Sequence, residues 1–261
     1  MQSETNDQTQ EKLVIPLFEI VVFPDSRTKF PVDQATGVLL LDAMKDTKGA
    51  HAVCITLKSG TLPSEITVES LYKTGNLLRI SHVQPADDGY LICAEVVQRV
   101  KVVSLSEKGG RFYASYEPVL DLPDLEEDLQ ERILADIKLT IHEISSRFSG
   151  SEQFTQPIDR MESIDQIMGF VMPFLPVHLA EKQALQEIVS VRQRYISFLE
   201  LLVKTREDIN IRIEMAKKVT DRVSKSNREA MLREIQEELG ETDGTAGEGG
   251  YRERIENAKM P

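Results

Sequence analysis

From Leu13 to Tyr116 the apolar residues gather into short β-rich runs, and from Leu125 onward they recur at spacings of three and four. This change of period divides the chain into a strand-rich part and a helical part. The first run, Leu13–Phe23, closes at the turn signal Pro24-Asp25; Pro16 within it lacks an amide hydrogen, which predicts an edge strand or a bulge. After an extended piece at Thr28–Val32, Asp33 is placed to cap a helix whose core-facing side would hold Val38, Leu39, Leu41, Ala43 and Met44. Strand-like runs follow at His51–Leu57, Leu71–Gln84, Tyr90–Val97, Val100–Leu105 and Phe112–Tyr116, separated by turn-rich stretches. Such close spacing, with one helix among the strands, predicts a compact antiparallel barrel or sandwich over residues 13–119, behind a polar, disordered tail of residues 1–12.

Residues 120–203 read as a helical bundle. Leu125, Leu129, Ile133, Ile137, Ile141 and Ile144 mark its first helix, with Asp124, Glu126, Glu127 and Asp128 at the positive end of the dipole. A loop containing Gly150 and Pro157 leads to a second helix, Ser163–Met172; a third begins near Leu179, and a fourth covers Val191–Val203. Thr205 then has the T-x-x-D spacing of a cap with Asp208, and no Pro or Gly interrupts the chain before Gly240, so residues 204–240 form one long helix of roughly 50 Å. Its apolar seam, Ile209, Ile213, Ala216, Val219 and Val223, is narrow. Such a helix projects into solvent, bridges domains or pairs with another helix, and reads as a strut joining a folded head to a body; the alternative is a bundle helix with a solvated face. Residues 241–261 open with the Gly-rich, acidic ETDGTAGEGG, a flexible linker, and read on toward a further module. The fold class is α+β.

The net charge of −12 is uneven: residues 120–203 carry 15 acidic against 7 basic groups, and residues 204–240 carry 8 against 9. Acidity of the head argues against a phosphate-binding surface, leaving nucleic-acid binding as a minor alternative on Lys217–Arg228. Cys54 and Cys93 each lie in an apolar run and read as reduced thiols; with a polar start lacking an apolar signal segment and no run long enough for a membrane span, the expected setting is cytoplasmic.

Candidate chemistry is sparse. His142-Glu143 opens like a zinc-protease helix, but the position four after His142 is Ser146, so the second ligand is missing. No phosphate-cradling G-x-x-x-x-G-K-[ST] string and no G-x-S-x-G elbow occurs, and the expectation is a region without catalytic, cofactor or metal residues. Met161, Met168 and Met172, spaced i, i+7 and i+11 beside Phe170 and Phe174, form a candidate surface for unfolded polypeptide, since Met side chains repack around varied apolar partners. The same spacing suits side chains lining the bundle core, which is the preferred reading.

The order of several short motifs resembles the N-terminal region of the ATP-dependent Lon proteases. Ile15–Pro24 is similar to that family's opening strand, and Leu71–Gly75 and Glu95–Val100 to its LF-x-x-G and EG-x-x-R positions. Phe174–Gln183, Ser226–Glu229, Ile235–Glu241 and Ala258–Pro261 follow in the family's order. Val96 stands where the family has Gly, and Arg228–Gly240 is about four residues, roughly one helical turn, shorter than the family pattern. The resemblance implies a PUA-like β domain, a helical bundle and a long helix leading to AAA+ and Ser-Lys protease modules that lie outside this sequence. It also implies a non-catalytic role in recognising unfolded or degron-bearing proteins and in oligomer assembly. ATP and magnesium would belong only to the ATPase module. The implied partner is a further copy of the chain, hexameric in the full-length family and dimeric for this region alone. A stand-alone adaptor or ligand-binding domain is the alternative.

Overall fold

A computed structural model describes residues 11–45, 49–61, 65–148 and 150–245, without the side chains of residue 234 and residues 236–245. Of the expected tail of residues 1–12, residues 1–10 lie outside the described residues and Lys12 opens a strand; of the expected linker from residue 241, residues 241–245 are helical and the rest lies outside the described residues. The chain divides into two compact units, Met1–Arg206 and Glu207–Pro261.

In the first unit, strands β1 (Lys12–Leu17), β2 (Arg27–Val32), β3 (Ala50–Thr56), β4 (Thr74–Ala86), β5 (Gly89–Lys108) and β6 (Arg111–Pro118) form one sheet in the order β2-β5-β4-β3-β1-β6. A further β5–β6 pairing closes it on itself. All pairs are antiparallel except β1–β3, whose connection returns through β2 and helix α1 (Gln34–Met44), the long crossover a parallel pair requires. β1 and β3 are covered on both sides: Ile15, Ala52 and Cys54 enter one core, Val14, Val53 and Ile55 a second. Burial of both faces is why these runs are continuously apolar rather than alternating.

The first strand ends at Leu17, because Glu19 and then Asp25 take left-handed backbone angles (φ 54° and 58°) that a strand cannot continue through. β1 is not an edge strand. Pro16 is tolerated because β6 pairs only with Lys12 and Leu13, so no β6 residue faces Pro16. The two runs Tyr90–Val97 and Val100–Leu105 are one strand, β5, whose register slips against β4 and β6 let it bend and serve both. In α1 the Asp33 carboxylate accepts the amides of Ala35 and Thr36 as expected, but the buried face holds Thr36, Gly37 and Leu40. Val38, Leu39, Leu41 and Ala43 are exposed and Met44 is half-buried. Gly37 sets this facing: a Cβ there would lie 2.0 Å from Tyr90 Cδ2, so only the glycine side of the helix can approach the sheet.

The helical part follows with α2 (Glu127–Ser145), α3 (Glu152–Arg160), α4 (Ile164–Val171), a 3-10 turn (Met172–Phe174), α5 (Leu179–Glu187) and α6 (Val191–Thr245). Ile133, Ile137 and Ile141 of α2 point into a core shared with α3, α4, α5 and the start of α6. Pro157, expected in a loop, lies inside α3, where Ile158 is buried and Phe154 packs against the same core, offsetting the lost hydrogen bond. The segment 21–23 links the two parts. Val21 and Phe23 enter the helical core and Val22 the barrel core, while Asn76 Nδ2 donates to the Val22 carbonyl at 2.8 Å.

No boundary separates a fourth helix from a long one. α6 is continuous, and Thr205, instead of capping, donates its hydroxyl to the Leu201 carbonyl at 2.8 Å. Without Pro or Gly near residue 204, propagation adds a bond at each residue and nothing stops it. Gly240 does not end the helix either, which runs to Thr245. In the second unit the described side chains are exposed from Ile211 onward.

Candidate functional site

Helix α4 lies against the loop at residues 24–26 because position 169 is glycine: a Cβ there would stand 2.8 Å from Ser26 Cβ. Beside this contact opens a groove of about 410 Å³. Met161, Phe170, Pro173 and Phe174 supply its apolar walls, and Asp25, Arg27 and Gln166 its polar rim. Phe154, Phe170 and Phe174 form one aromatic cluster, with centroids 5.2 Å, 5.3 Å and 6.1 Å apart and the Phe154–Phe174 pair edge-to-face. Phe174 is nonetheless 67% exposed, a large apolar surface held in place by its neighbours and left facing water.

The candidate methionines separate. Met161 is half-buried in the groove wall, while Met168 and Met172 are 1% and 0% exposed inside the helical core, so they present no surface to a client. The i, i+7, i+11 spacing supposed one helix through all three. Met161 instead ends α3 in an extended conformation, and α4 starts only at Ile164. The sequence reading missed Phe154 and the 25–27 loop. Only the Phe170–Phe174 spacing of four hinted at the aromatic cluster.

Asp25 sits in the left-handed region, which Asp tolerates better than most residues. Burial, followed by the nearby charges of Asp165 and Glu95, pushes its carboxyl pKa up. A second cavity of about 190 Å³, which shares Asp25 with the groove, is lined also by Arg99, Asp121, Asp165 and Arg194. Arg99 and Arg194 are 4% and 2% exposed. Arg99 Nη1 donates to the carbonyls of Gln186 and Ile188, each at 2.6 Å, and Nη2 binds Asp121. Arg194 binds both oxygens of Asp121, and Tyr195 donates its hydroxyl to Asp165 at 2.6 Å. Burial and the Arg194 charge lower the Arg99 pKa; for Arg194 burial is outweighed by Asp121 and Asp165, and its pKa rises. These charges neutralise one another, so the cluster works as a joint between β5 and the helices. Nothing in the sequence singled it out beyond Arg99 in the resemblance.

The other expected residues are placed as follows. Ile209 is half-buried on α6, and Ile213, Ala216, Val219 and Val223 are exposed. His142 Nε2 lies 2.7 Å from Asp159 Oδ1. Cys54 and Cys93 are free, and burial pushes the Cys54 thiol pKa up to about 12. Among the described residues no group of three or more His, Cys, Asp or Glu is arranged to hold a metal, and no helix is long and apolar enough to cross a membrane.

Comparison with known proteins gives these features a family. The model of the ATP-dependent protease La (LON) substrate-binding domain matches residues 12–204. A Lon protease of Methanosarcina barkeri is 59% identical over 266 residues, covering 100% of this chain and 33% of the relative. One of Clostridium beijerinckii is 27% identical over 262 residues, covering 98% and 33%. The chain thus spans about one third of the length of these relatives. Among solved structures, the N-terminal domain of Mycobacterium avium complex Lon protease aligns with a TM-score of 0.57 at 14% identity, covering 76% of this chain and 99% of that one; it speaks for the fold alone. With the matched segment running from the first strand into α6, the chain belongs to the Lon substrate-binding domain family.

Proposed function

We propose that this chain recognises protein substrates on behalf of an ATP-dependent serine protease, taking exposed apolar side chains of misfolded or regulatory proteins into the groove of Met161, Phe170 and Phe174. The observation that carries the reading is the exposed Phe174 ring above an apolar hollow, in a family described by its binding of substrate. Aromatic rings offer large contact area at small conformational cost, and such anchors dominate recognition surfaces. The chain itself contributes binding and no bond cleavage. Fluorescence titration of a carboxymethylated, permanently unfolded protein into the purified chain is the test. Phe174→Asp is expected to weaken binding at least tenfold while leaving the circular dichroism spectrum intact. Unchanged affinity would exclude the groove.

Assembly is the second part of the proposal. The exposed positions Ile213, Ala216, Val219 and Val223 on α6 would meet another copy of the same helix, since a helix with so narrow an apolar seam gains by pairing. Sedimentation equilibrium should show self-association that Val219→Glu with Val223→Glu abolishes; a monomer at all concentrations would refute it.

A further inference from the structure

We propose that the groove selects apolar segments flanked by positive charge, so that the preferred ligand is an unfolded stretch carrying an aromatic or aliphatic residue next to Lys or Arg. This rests on the groove reading above and narrows it to a substrate class. Acidic side chains cluster around the apolar hollow. Residues 151–174, which build the aromatic wall, contain four carboxylates (Glu152, Asp159, Glu162 and Asp165) and one cation, Arg160. Two carboxylates are uncommitted: Asp25 on the rim and Glu162, next to Met161, are both exposed and form no ion pair among the described residues.

Of the cations nearby, Arg160 is exposed and is flanked along the chain by Asp159 and Glu162. Arg27, also on the rim, stands directly across the β2–β5 ladder from Glu95, which binds Arg79. Arg194 is turned to Asp121 and Asp165. Asp25, crowded by Asp165 and Glu95, would gain from an incoming cation more than an isolated carboxylate does. An anionic segment would meet the same field with the opposite sign, so the groove would discriminate by repulsion as well as attraction.

The experiment measures three fluorescein-labelled Gly/Ser peptides sharing one Phe-Leu pair, flanked by two Lys, two Gln or two Glu, against the whole chain by anisotropy. Affinity is expected to fall in the order Lys, Gln, Glu by about two- to fivefold per step at low salt, the scale of exposed charge pairs. The differences should shrink in about 0.5 M salt, where screening reaches only a few ångströms. Asp25→Asn with Glu162→Gln should bring the Lys-to-Glu ratio close to one; Asn keeps the left-handed backbone of position 25 accessible. Equal binding of the three peptides, or a Lys preference that survives the double substitution, overturns the selectivity while leaving the groove. Binding of none of them overturns the groove and the selectivity together.

Discussion

Arg194 holds Asp121 with both ends of its guanidinium, at 2.8 Å and 2.9 Å. Asp121 lies in the short segment between β6 and α2, and the same carboxylate is bound by Arg99 from β5. One side chain therefore compensates two buried cations arriving from the sheet and from α6. Asp121 is itself 41% exposed, so water reaches this joint.

Asp121→Asn is expected to destabilise the first unit by on the order of 3 kcal/mol, since it leaves the Arg99 guanidinium buried without its paired carboxylate and Arg194 with Asp165 alone. Urea unfolding followed by circular dichroism measures this. A loss under about 0.5 kcal/mol, the size of an ordinary surface substitution, would show that the joint carries no stability.

Asp33 gives a pH-dependent case. Burial works against its charge, but the amides of Thr36 and Ala35, the Thr36 hydroxyl and the Arg111 charge outweigh it, and its pKa is lowered. A lowered folded-state value means stability present above the unfolded carboxyl pKa of about 3.9 and lost as pH falls through the folded value. Asp33→Ala should therefore cost about 1 kcal/mol at neutral pH, the usual worth of a helix cap, with the difference from the parent shrinking below about pH 4. A pH-independent cost would mean that the charge plays no part in the cap.

What could be read from the sequence follows the range of each signal. The apolar runs of β1 and β3, the Asp33 cap and the 3–4 spacing of Ile133, Ile137 and Ile141 are local, and each corresponds to an element of the structure. The facing of α1 was not legible, because it depends on Gly37 meeting Tyr90, a residue of β5 more than fifty positions away. The groove was half legible. Met161 and Phe174 belong to it, but the break between α3 and α4 sends Met168 and Met172 inward, and the 25–27 loop arrives from more than a hundred residues earlier. The joint was invisible, since Asp121 lies 22 residues from Arg99 and 73 from Arg194, a separation at which no periodicity or motif operates.

That an apolar ligand sits against Met161 rather than against the buried methionines is tested most directly by methyl NMR of the chain labelled at its eight methionines, titrated with an unfolded apolar peptide. The expected result is a dose-dependent shift of the Met161 methyl, with Met168 and Met172 unmoved in the core. A stationary Met161 while Met215 or Met231 of α6 shifts would place the ligand on the long helix and contradict the groove.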